Sequence, residues 1–237
     1  MQGAQANRLS VELLIEELAH HPVNSNVFFR RFKDHRLSRQ QLQVFFRQYH
    51  YFCHHFVQRL EGLLYTTPLD EVEMRVELVK TLYSELGSGS VEQAHGRQLE
   101  RFLQRLGVSL AELRCTRPLP EVEAYLQVLH RLFMETDYLA ALGAELAVET
   151  TAAAEFRYLY PGLQKYQEFT TDDLAFFELH VHEEQQHSDW ITEAVRKTAT
   201  TPNALARVAA GARETADAWH EFWKGVYRVV FDEPCPT

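Results

Sequence analysis

One eight-residue segment, His180-Val181-His182-Glu183-Glu184-Gln185-Gln186-His187, carries the residue types and spacing of a metal site. At about 100° per residue on a helix, His180, Glu184 and His187 fall within roughly 60° of one another, so one face presents two imidazoles and a carboxylate. The zinc-protease pattern His-Glu-x-x-His is absent, because His187 follows the pair His182-Glu183 one residue too late. A solvated polar face would also carry these residues, so the reading depends on donors from other segments. Glu85 and His95 flank the break Gly87-Ser88-Gly89, where two helices can turn their ends towards one site. Glu149 closes an apolar and small-residue run that starts at Leu139. There an ionised carboxylate either reaches the surface or needs a cation or hydrogen-bonding partner. The set Glu85, His95, Glu149, His180, Glu184 and His187 mixes hard oxygen with borderline nitrogen donors, which suits iron or manganese. Two ions could share it, bridged by the carboxylates, with positions left open for O₂. Glu92 stands three residues before His95, the same spacing as Glu184 to His187, and is the alternative to Glu85.

Helices must position these donors. Gly and Pro fall between long apolar-periodic segments, and no alternating Val/Ile-rich run appears, so the chain reads as all-α. Helices are expected over about 10–19, 26–35, 38–65, 68–85 and 90–107, then over a long segment from about 121 past 150, and finally over 172–197 and 202–231. That makes about seven to eight. Ser38-Arg39-Gln40-Gln41 and Ser90-Val91-Glu92-Gln93 read as capping boxes, and Pro161-Gly162 as a stop. The stripe Leu42, Phe45, Phe46, Tyr49, Cys53, Phe56 and Leu60 is core, and His50 and His54 read as its polar flank. With no linker or repeat, a single domain over residues 1–237 is expected, its core running from about 23 to 230.

Composition narrows the function classes. The chain of 237 residues carries 33 acids against 24 bases, net charge −9, and its bases are scattered, which argues against a nucleic-acid partner. Its three cysteines, Cys53, Cys115 and Cys235, form neither a disulfide framework nor a zinc motif. The polar start and the lack of any apolar run of about 18 residues argue against secretion or membrane spanning, so a cytoplasmic protein is expected.

With these motifs in this order, the chain resembles the haem-oxygenase-like di-iron oxidases. That helical family is related in fold to thiaminase II and pyrroloquinoline-quinone synthase and includes the chlamydial protein associating with death domains. The resemblance spans roughly Val23 to Lys197 and rests on three elements. The family's His-x-x-x-Asp/Glu-x-x-His helix is present as His180, Glu184 and His187, with Glu184 where Asp is more usual. A Glu followed some ten residues later by His is present as Glu85 and His95, before a helix ending in Leu106-Gly107. An isolated Glu on the preceding helix is present as Glu149. The resemblance implies a haem-oxygenase-like, thiaminase II-like helical bundle that binds two Fe²⁺ ions and takes O₂ as co-substrate. It also implies oxidation of an amino-acid-, amine- or fatty-acid-derived small molecule in a biosynthetic pathway, with an external electron donor. Some members use an extra Glu from an earlier core helix, for which Glu61 is the candidate. The alternative on the same fold is a metal-free oxidase or hydrolase of the quinone-synthase or thiaminase type. A homodimer is the expected assembly.

Overall fold

The computed structural model describes residues 2–236, with side chains over 11–181 and 188–236. Among the described residues there are ten α-helices and no strand: α1 (Gln2–Ala19), α2 (Val27–Asp34), α3 (Arg39–Thr66), α4 (Val72–Glu85), α5 (His95–Arg105), α6 (Leu110–Arg114), α7 (Pro120–Met134), α8 (Tyr138–Gln164), α9 (Ala175–Thr198) and α10 (Pro202–Phe231). The all-α expectation holds, while the count of seven to eight is too low. The segment expected to run from 121 past 150 is two helices, because Asp137 caps a new start by accepting from the backbone N–H of Leu139 and Ala140. The short α6 is opened by a capping box at Ser109 and Glu112.

Several boundaries follow the local chemistry. Ser38 and Gln41 form the expected capping box of α3, and Thr201 caps α10 just before Pro202. Ser90 makes no side-chain cap. Its segment is a 3₁₀ turn over Val91–Gln93, and α5 begins only at His95. Pro68 lies in the turn before α4, which starts at Val72. Pro161 does not end α8, which continues to Gln164. Packing holds that last turn: Leu163 is buried, and a Cβ placed on Gly162 would stand 2.5 Å from the Phe32 ring.

The central helix is α8, which packs along both α9 and α10. Its approach to α10 is closer than side chains allow. A Cβ on Gly143 would lie 1.9 Å from the Val208 carbonyl oxygen, and one on Gly211 would lie 2.0 Å from that of Ala140. Buried apolar side chains from α1 through α10 form one contiguous cluster, rich in aromatic rings such as Phe28, Phe45, Phe46 and Trp223. Helix α4 contributes to that cluster and also carries exposed apolar residues. It buries Met74, Leu78 and Leu82 on one side while Val72, Val76, Val79 and Tyr83 stand exposed on another. No helix over the described residues is long and apolar enough to cross a membrane.

Candidate metal centre

Three of the expected donors converge. One ligand atom from each of Glu85, His95 and His180 lies within 4.8 Å of the other two. The chain turn between α4 and α5 brings the first two together. Gly87, at φ +83°, donates its N–H to the Ser84 carbonyl, and Ser88 donates to that of Tyr83. This is the paired closure of a helix end that needs a left-handed residue. A Cβ on Gly87 would lie 2.2 Å from the Ser90 carbonyl oxygen, so the turn requires glycine for space as well as for φ. Glu85 is thus the last residue of α4, His95 is the first of α5, and Glu85 Oε2 lies 3.1 Å from His95 Nδ1.

His180 comes from the second turn of α9. Its Nδ1–H donates to the Phe176 carbonyl at 2.6 Å, which fixes the tautomer and leaves Nε2 as the ligand nitrogen. The ring is held between Phe156 and Phe176, with centroids 4.5 and 4.2 Å away, and meets His95 at 4.6 Å. Such packing fixes a ligand's direction before any ion arrives.

Glu149 is buried on α8, and with Glu85, His95 and His180 it lines a cavity of about 740 Å³. Taken alone it could have reached the surface, and it does not. Glu184 and His187 lie outside the residues whose side chains are described; the backbone there is helical, within α9. Glu92, the alternative to Glu85, is exposed, which leaves Glu85 as the partner of His95, and Glu61, the candidate extra donor, is exposed too.

Three groups carry more weight than their local sequence suggested. His50, expected on a polar flank, is buried on the cavity wall, with Nε2 3.9 Å from Glu100 Oε1. Burial lowers its pKa to about 4, against the pull of Glu100, so the imidazole is neutral near pH 7. Glu155 accepts the Tyr49 hydroxyl proton at 2.6 Å. Burial pushes its carboxyl up to about 8, against the hydrogen bonds from Tyr49 and Trp219. Glu145, one turn before Glu149, is also buried; burial first, and Glu149 second, push its carboxyl well above the usual carboxylate range. The signal for Glu145 was available, since it sits in the same apolar run as Glu149. His50 and Glu155 had no such marker, because their burial depends on which helices pack against them. Cys53 also faces the cavity, and burial raises its thiol pKa, which disfavours a thiolate nucleophile.

The donor chemistry fits an iron or manganese ion: one carboxylate and two imidazoles with ligand atoms within 4.8 Å of one another, one imidazole already oriented, and further buried carboxylates on the neighbouring helix. Comparison with known proteins agrees. The chain is 25% identical over 217 residues to 4-chloro-allylglycine synthase of Streptantibioticus cattleyicolor, covering 92% of this chain and 82% of that one. It is 26% identical over 208 residues to 4-aminobenzoate synthase of Nitrosomonas europaea, covering 84% and 83%. In fold it is similar to a CADD-like protein of unknown function from Nostoc punctiforme, with a TM-score of 0.77 at 21% identity over 94% of this chain and 99% of that one. A TenA homologue from Pseudomonas syringae pv. tomato gives 0.76 at 15% identity, covering 92% of each chain. The thiaminase-like helical fold expected from the sequence is therefore the fold observed. The family model described as iron-containing redox enzyme matches residues 43–220, and the chain, with its Glu85–His95–His180 cluster inside that span, belongs to this family.

Proposed function

We propose that the protein is a non-haem di-iron oxidase or oxygenase acting on a small biosynthetic intermediate that bears an amino group and a carboxylate. The observation that carries this reading is the convergence of Glu85, His95 and His180 at the wall of a cavity large enough for such a molecule. Two iron ions held by these residues with Glu149, Glu184 and His187 would supply O₂ activation and the electron transfer that oxidises the substrate. The chain supplies the rest. Phe52, Phe56, Val148 and Phe156 give the cavity apolar walls that hold the substrate body and exclude water. Arg114 on the cavity wall suits a substrate carboxylate, and Glu100, whose Oε2 pairs with Arg97 at 2.7 Å, presents its other oxygen beside neutral His50, where it can accept from an ammonium group. Neutral His50 can accept a hydrogen bond from that ammonium group.

The names of the two relatives support the substrate class, since each denotes a synthase whose product carries both an amino group and a carboxylate. An external electron donor belongs to the same proposal. The test is O₂ uptake by Fe(II)-loaded protein with a reductant, across a panel of amino acids, simple amines and fatty acids. Amino acids are expected to accelerate uptake, and Glu100→Gln should raise the KM for them with little change in kcat. Acceleration by fatty acids alone would overturn the substrate class, and no uptake with any reductant would overturn the oxidase.

A further inference from the structure

A second buried carboxylate stands beside Glu149, and the six-donor set gives it no task. Glu145 lies one helical turn before Glu149 on α8 and is 2% exposed. Its carboxyl group contacts that of Glu149, while its Oε2 is buried without a hydrogen-bond partner among the described residues. Both groups line a small cavity whose other walls include Met74, Leu78, Thr81 and Ile191. An oxygen buried there without a partner is costly, and a leucine would fill the space without that cost. A cation is what makes such a side chain worth retaining.

The placement also indicates which cation. Glu85, His95 and His180 are close enough to share one ion, and Glu145 is not a member of that cluster. Glu149 lines both the small cavity it shares with Glu145 and the larger cavity that holds the cluster, and Glu85 acts electrostatically on Glu145, so the pair adjoins the centre from α8. We propose that Glu145 is a direct ligand of the second metal ion, beside Glu149, and is retained for the metal rather than for the fold. This rests on the two-ion reading above.

The test is anaerobic titration with Mn(II), reading unbound Mn(II) by electron paramagnetic resonance, together with thermal unfolding with and without the ion. Wild type, Glu145→Gln, Glu145→Leu and Glu149→Gln are compared. Wild type should take two ions per chain. Glu145→Gln, which keeps the shape and a hydrogen bond to Glu149, should keep the first ion and weaken the second by more than the roughly 10- to 100-fold that loss of an outer-shell partner costs. Glu145→Leu should melt at a higher temperature than wild type without metal and gain less on loading. Should the leucine variant misfold, the near-isosteric glutamine variant carries the test alone. If Glu145→Gln holds both ions as tightly as wild type while Glu149→Gln loses one, Glu145 is not a ligand and only this inference falls. If wild type itself takes fewer than two ions, the two-ion reading and this inference fall together.

Discussion

Glu155 shows how much a single buried carboxylate can matter away from the metal donors. Its pKa is raised from 4.5 to about 8, chiefly by burial, so the folded chain holds a proton that the unfolded chain releases. The stability tied to that proton is complete below about pH 4.5 and falls as pH rises towards 8. Glu155→Gln keeps an acceptor for Tyr49 and removes the titration. In urea unfolding from pH 5 to 9, the variant is therefore expected to match wild type at the acid end and to exceed it by a few kcal/mol at the alkaline end. A constant difference across that range would show that Glu155 does not titrate in the folded protein. His50 runs the other way, with a pKa lowered to about 4, and its neutrality near pH 7 is what suits it to the cavity wall.

At the level of helices, α8 turns Glu145 and Glu149 towards α4 and α9 and crosses α10 closely on another face. Gly143 and Gly211 allow it, since a Cβ at either would meet a backbone carbonyl at 1.9 or 2.0 Å. Gly143→Ala should lower stability by about 1–3 kcal/mol, as overpacking does. Gly96→Ala, where nothing lies within 4 Å, should instead be neutral or stabilising by about 0.4–1 kcal/mol. Denaturant midpoints check both, and equal effects would contradict the crossing geometry. The capping box of Ser38 with Gln41, the break at Gly87-Ser88-Gly89 and the start at Pro202 act through neighbours in the chain, and they were readable. The continuation of α8 past Pro161 and the burial of His50 depend on Phe32 and on packing between distant helices, which no local pattern encodes. Glu85 could be told from Glu92 only by the turn geometry that aims one at His95 and leaves the other exposed.

For the whole molecule, α4 has two apolar faces. Its inner face carries Met74 and Leu78 towards the core and ends in Glu85, while Val72, Val76, Val79 and Tyr83 form a second apolar stripe on the exposed side. Spacings of four, three and four residues are those of a helix-packing seam, and a stripe of this size left in water is unusual. The proposed homodimer would cover it. Sedimentation of the double variant Val76→Glu, Val79→Glu is expected to give monomers where wild type gives dimers, and an unchanged mass would place any dimer contact elsewhere. The most direct measurement on the central claim is metal content after anaerobic loading with Fe(II), followed by stopped-flow absorbance on mixing with O₂, for wild type and His187→Ala. Wild type is expected to take up about two irons per chain and to show a transient visible band that the variant lacks. No iron uptake and no O₂ consumption by wild type would contradict it.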